Sequence, residues 1–249
     1  MDDASRKTKG LFITGTDTDV GKTYVTTMIA RQMVRRGVSV GAYKPACSGA
    51  EIDHSGASVW RDVVELSKAI GGSDLSRISP QRFRAPLAPP VAAKLEGTNV
   101  DSKLLRTGAQ WWHGQVDLLL IEGAGGLLCP ITESETVADL AADLGYPLII
   151  VARLGLGTIN HTLLTVEAAQ HRGLAVAGII LNEGDSPVAE AQAKTNPAEL
   201  AARCKIPLLG LLGRHENSLS RDGERVDIDW LSLASAGTVT SGPENIVAD

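Results

Sequence analysis

The chain has few cysteines, no surplus of positive charge and no long hydrophobic run, and each shortage removes a class of protein. Three cysteines in 249 residues, Cys47, Cys129 and Cys204, are too few and too scattered for a disulfide framework. None stands with histidines at zinc-finger spacing. The net charge of −5 leaves no electrostatic footprint for nucleic acid. No window approaches the about 18 uninterrupted apolar residues of a membrane span. The first nine residues are polar and charged without the apolar core of a signal peptide, so a cytoplasmic protein is expected. There is no internal repeat and no interdomain linker.

What remains is an ordinary globular composition, 43% hydrophobic and 21% charged, long enough for one domain with an extensive core. Leu11 to Thr14, Val38 to Tyr43, Asp117 to Ile121, Leu148 to Ala152, Ala175 to Leu181 and Leu208 to Leu211 are short and rich in Leu, Ile and Val. Continuous runs of this kind fit strands buried on both faces. Between them, Lys22 to Arg36 and Thr158 to Arg172 carry apolar residues at helical spacing and end at Gly37 and Gly173. The alternation predicts a single-domain α/β fold with a mostly parallel central sheet flanked by helices on both faces. Ser73 to Pro90 lacks periodicity and reads as a long excursion over the sheet edge. From Ser218 the pattern fades, and Ala234 to Asp249 reads as a disordered tail.

The densest chemistry is Gly15-Thr16-Asp17-Thr18-Asp19-Val20-Gly21-Lys22-Thr23, lying between the first strand and the first helix. Glycines let a backbone curl around an anion, loop N–H groups and a helix N-terminus point at it, a lysine neutralises it and a hydroxyl can hold Mg²⁺. The expected nucleotide contacts are Asp19, Val20, Gly21, Lys22 and Thr23. Five residues, not the usual four, separate Gly15 from Gly21. Lys44, at the end of the second strand, supplies a second cation for a transferring phosphoryl group. Glu122 closes the apolar run Leu119-Leu120-Ile121 where a Mg²⁺-directed acid belongs, and Gly125 lies in the glycine run after it. Thr158 and Asn160 stand at a helix N-terminus suited to an anion, or serve as caps there. His161 reads as structural or as a proton carrier. Asn182 reads an adenine edge or ends its strand.

These motifs, with Lys44-Pro45-Ala46-Cys47-Ser48-Gly49, Glu122-Gly123-Ala124-Gly125-Gly126 and Leu156-Gly157-Thr158-Ile159-Asn160-His161, resemble the dethiobiotin synthetase family of P-loop NTPases. The likeness runs from about residue 10 to 213, leaving 214–249 as a C-terminal extension. That family's loop carries the same extra residue. The resemblance implies an ATP- and Mg²⁺-dependent cyclo-ligase of biotin biosynthesis that closes a ureido ring on diaminopelargonic acid with CO₂. A carbamate and a carbamic–phosphoric anhydride would be its intermediates.

It also implies a homodimer with shared sites. By resemblance, Lys22 and Lys44 steady the carbamate and phosphates, and Asn182 reads adenine. Thr23 and Glu122 ligate Mg²⁺ with an aspartate placed at Asp62, for which Asp53 competes. Thr16, Lys44, Ser48, Gly125 and Asn160 face the diamine substrate. Ala88-Pro89-Pro90 stands where many relatives have Ser-Pro-His, and Leu211-Leu212-Gly213-Arg214 lacks a usual proline. Three rival readings carry less. An amidating synthetase of the cobyrinic acid type would need a glutamine-hydrolysing domain. A partition ATPase carries an extra lysine near the start of the loop, absent from Gly15-Thr16-Asp17. A degenerate nucleotide binder would not keep Lys22, Thr23, Lys44 and Glu122 together.

Overall fold

Strands that are apolar on both sides have to be covered on both sides, and the computed structural model, which describes residues 8–184 and 188–235, has that layering. In chain order the described elements are β1 (Lys9–Gly15), α1 (Lys22–Arg35), β2 (Val40–Tyr43), β3 (Ala46–Ser48), β4 (Glu51–Ile52), β5 (Ser58–Val59), α2 (Arg61–Ala69), α3 (Leu75–Ile78), β6 (Gln81–Phe83), α4 (Pro89–Leu95) and α5 (Ser102–Gln110). Then follow β7 (Leu118–Gly126), α6 (Val137–Leu144), β8 (Leu148–Arg153), α7 (Thr158–His171), β9 (Val176–Asn182), α8 (Glu190–Arg203), β10 (Leu208–Leu212), β11 (Leu219–Arg221), β12 (Glu224–Val226) and α9 (Trp230–Leu233).

The central eight-stranded sheet runs β12-β11-β10-β9-β8-β1-β7-β2. From β2 to β10 neighbouring strands are parallel, and β11 and β12 extend that edge antiparallel. Side-chain alternation divides the core. Leu11, Ile13, Leu118 and Leu120 pack with Val25, Met28, Ile29 and Met33 of α1, whereas Phe12, Leu119 and Ile121 pack on the opposite side with Leu105, Ala109, Val137 and Ala141. Each fully buried aliphatic contributes about 1.5–3 kcal/mol relative to exposure, so this doubly covered sheet is the rigid base of the site.

The expected fold class is found, with local differences that matter. Because β7 lies between β1 and β2, Lys44 and the loop after β1 approach each other across Glu122. β7 also continues past Glu122, since Gly126 pairs with Gly15; the acid sits within an extended strand rather than closing it. The excursion from Ser73 to Pro90 contains α3, β6 and the start of α4, and β6 pairs with β3 in a small parallel sheet. These elements are too short to show periodicity and are fixed by tertiary contacts. Past Ser218, β11, β12 and α9 form, and Trp230 is buried in the α1-side core. The tail reading from residue 236 onward falls outside the described residues.

Candidate active site

The site begins at the turn from β1 into α1. Gly21 has φ of 93°, and a Cβ there would come within 2.0 Å of Asn182 Nδ2. Both the left-handed conformation and the close approach require glycine. The N-terminus of α1 has neither a side-chain cap nor an acidic residue in its first turn, so its N–H groups are left for an anion. Lys22 is buried and its ammonium donates to the Asp17 carbonyl at 3.0 Å, bracing the loop. Burial, opposed by the charge of Glu122, lowers the Lys22 pKa from its usual value. Asn182, brought in by β9, donates from Nδ2 to the Val20 carbonyl at 2.9 Å.

Across the loop lies a compact charge cluster. Glu122 Oε1 accepts from the Thr23 hydroxyl at 2.7 Å and from Lys44 Nζ at 2.7 Å. Lys44 Nζ also donates to Asp62 Oδ2, from the first turn of α2. Lys44 and Glu122 are 5% and 1% exposed, so each charge depends on the other as its main partner. Removing one member of such a buried pair costs about 3–5 kcal/mol. Burial opposes the charge of Lys44, but Glu122 and Asp62 more than offset it and hold the amine above its ordinary range. The Asp62 carboxyl is held low: burial opposes ionisation and the neighbouring Lys44 overcomes that opposition. Asp53 is elsewhere, in the β4–β5 turn, accepting from Ser55 N, Ser55 Oγ and Ala57 N.

A cavity of about 680 Å³ opens over these groups. Its polar wall includes Asp19, Gly21, Lys22, Thr23, Lys44, Ser48, Asp62, Glu122 and Gly125, and its other wall is Pro86, Leu87, Ala88 and Pro89. Five buried side-chain polar atoms among the described residues lack a hydrogen-bond partner, and three of them are Ser48 Oγ, Glu122 Oε2 and Asn182 Oδ1. Buried polar atoms are nearly always paired in a folded protein; Ser48 and Glu122 line the cavity and Asn182 lies against the loop at Val20, so polar ligand atoms fit on both sides of the loop. Oxygen donors from Thr23, Asp62 and Glu122 are the hard ligand type suited to Mg²⁺, and the unpartnered Glu122 Oε2 agrees with that use.

Four expected residues do not line this cavity: Val20 and Asn182, which meet behind the loop, and Thr16 and Asn160, which lie apart. Thr16 faces a second groove of about 460 Å³ with Leu128, His161 and Leu164. Asn160 is exposed on the first turn of α7, whose Gly157 N-cap makes no side-chain cap bond. Neither Thr16 nor Asn160 lines the 680 Å³ cavity. Sequence reasoning missed Cys129, which borders both spaces, and the apolar wall from Pro86 to Leu87. Cys129 carries no motif, and only the path of the chain after β7 brings it there.

Comparison with known proteins adds an independent line. A family model described as an AAA domain matches residues 9–219. The chain is 46% identical over 194 residues to an ATP-dependent dethiobiotin synthetase of Anaeromyxobacter sp. (strain K), covering 78% of this chain and 84% of that one. It is 40% identical over 212 residues to the enzyme of the same name from Bacillus subtilis subsp. natto, covering 84% and 89%.

Proposed function

The chain belongs to the ATP-dependent dethiobiotin synthetase family, and from that premise we propose how its own residues carry the reaction. It is an ATP-dependent ligase of biotin biosynthesis that closes the ureido ring of dethiobiotin on diaminopelargonic acid with CO₂. One substrate amine captures CO₂ as a carbamate. The carbamate oxygen takes the γ-phosphoryl group with departure of ADP, and the second amine attacks the activated carbonyl and expels phosphate. The order follows from leaving-group chemistry, since the carbamate oxygen leaves only once phosphorylated.

In this scheme the 15–23 loop and the α1 N-terminus receive the phosphates, with Lys22 neutralising charge as it develops on the transferring group. Lys44 and Ser48 orient the carbamate, and the Gly125 backbone allows close approach. Asn182 Oδ1 accepts from the adenine amino group. Thr23, Asp62 and Glu122 would hold Mg²⁺, which when bound neutralises phosphate charge. Pro86 to Pro89 exclude water from the reacting side. Asn160 and the α7 N-terminus bind the substrate carboxylate of a neighbouring subunit, and Thr16 borders that entrance. Exposure of Leu128, Leu156 and Leu164 on this face supports a homodimer. The catalytic residues fall within 10–213, and the described part of 214–249 is an extension that completes the same sheet and core, in a cytoplasmic enzyme without nucleic-acid or membrane partners. Among the described residues no helix is long and apolar enough to cross a membrane.

The observation that carries the residue assignments is the coincidence of unpartnered buried atoms with Ser48, Glu122 and Asn182. Mass spectrometry of products from diaminopelargonic acid, bicarbonate, ATP and Mg²⁺ tests the whole scheme, with each component omitted in turn. Dethiobiotin and ADP are expected only in the complete mixture; ADP without ring closure would refute the acceptor substrate. Sedimentation as a monomer at working concentration would refute the shared site.

A further inference from the structure

Lys44 occupies an unusual position for a residue assigned to the substrate. Its ammonium donates to both carboxylates that the proposed function gives to the metal, Glu122 at 2.7 Å and Asp62. Glu122 Oε1 is thereby doubly occupied, by Lys44 and by the Thr23 hydroxyl, while Oε2 of the same carboxylate is buried and has no hydrogen-bond partner among the described residues. Lys44 also borders the cavity beside Ser48, so its flexible stem stands between the acids and the space for the substrate oxygens.

We propose that Lys44 is the resident counter-ion of the Glu122–Asp62 pair, and that arrival of a divalent cation displaces its ammonium toward the substrate oxyanion. The inference rests on Glu122 and Asp62 being the cation ligands. Its physical basis is charge balance. Two neighbouring carboxylates, one fully buried, repel each other without a cation between them. A divalent ion satisfies them better than an ammonium does, and the two cations then repel at short range. The nearest anionic acceptor for the expelled ammonium is a carbamate or phosphoryl oxygen in the same cavity. Lys44 therefore reaches the reacting oxygens only after the metal is in place, so that metal loading and carbamate stabilisation are coupled in one side chain.

The test uses Mn²⁺ alone, without nucleotide or diamine, titrated by electron paramagnetic resonance into the full chain. Lys44→Met keeps the length of the stem and removes the competitor; it is expected to bind Mn²⁺ about ten-fold more tightly than wild type. Lys44→Arg, which keeps the competing charge in a fork suited to carboxylates, is expected to bind Mn²⁺ no more tightly than wild type. Equal or weaker binding by Lys44→Met, including no binding by either protein, would overturn the proposal, as would tighter binding by Lys44→Arg. A second measurement needs no substitution: amine labelling of wild-type Lys44, read by peptide mass spectrometry, should quicken on adding Mn²⁺. Unchanged or slower labelling counts against displacement. Because no substrate is present, failure of ring closure and failure of this exchange are separate results.

Discussion

At the residue scale, Lys22 and Tyr146 illustrate two uses of burial. Lys22 is 8% exposed, and among the described residues its ammonium donates to a carbonyl of its own loop, which leaves it free to meet the anion that the proposed function places there. Lys22→Met is expected to lower kcat roughly 10²–10³-fold with an unchanged circular dichroism spectrum; unimpaired ring closure would remove Lys22 from the reaction. Tyr146 has no such task. Burial pushes its phenol pKa up to about 12, above an unfolded value near 10. The folded chain keeps the phenolic proton where the unfolded chain has lost it, so stability is full below pH 10 and declines as pH rises toward 12. The urea midpoint should fall across that window, and Tyr146→Phe should flatten the decline. Lys44 and Glu122 stood out in the sequence because each follows an apolar run, although β7 continues past Glu122 to Gly126. Their ion pair did not, because a sequence does not state that β7 lies between β1 and β2.

At the element scale, the β1–loop–α1 unit was nearly complete in the sequence. The apolar run, the glycines and the helical spacing are local signals, and the observed α1 ends within one residue of expectation. What locality hides is the reason Gly21 cannot change. Its φ of 93° disfavours any L side chain, and a Cβ would collide with Asn182, 161 residues away. Gly21→Ala is expected to cost about 1–2 kcal/mol from conformation alone, with a further loss from displacing Asn182. The expected result is a lower thermal midpoint together with a raised KM for ATP. An unchanged KM would show that loop shape and nucleotide affinity are independent. The short elements β3, β6 and α3 were illegible for the opposite reason: four residues or fewer give no period to read, and their stability comes from what they pack against.

At the scale of the whole molecule, the segment after β10 folds back on the helix that follows the phosphate loop. Trp230 is 1% exposed, and its Nε1 donates to Gln32 Oε1 of α1 at 3.1 Å. Gln32 Nε2 in turn donates to the Asn217 carbonyl at 3.0 Å, Tyr24 donates to the Glu216 carbonyl, and Arg36 pairs with Asp227. α1 is thus gripped along its outer side by residues 216–230. Trp230→Ala should cost about 3–5 kcal/mol through the cavity it leaves, seen as a lower urea midpoint, with ring closure retained below the new transition. A loss of activity without loss of stability would instead make this segment part of the site.

By itself, the sequence determined the class of fold, the phosphate loop and the chemical types gathered at the strand ends. Those features are written in nearest neighbours and in periods of two and 3.6 residues. Only the tertiary structure decided between Asp62 and Asp53 as the acid facing the cavity, set Lys44 against Glu122, and brought Asn182 onto the loop at Val20. Those are contacts between residues far apart in the chain. They depend on strand order, and strand order is settled by how whole faces of the sheet are buried.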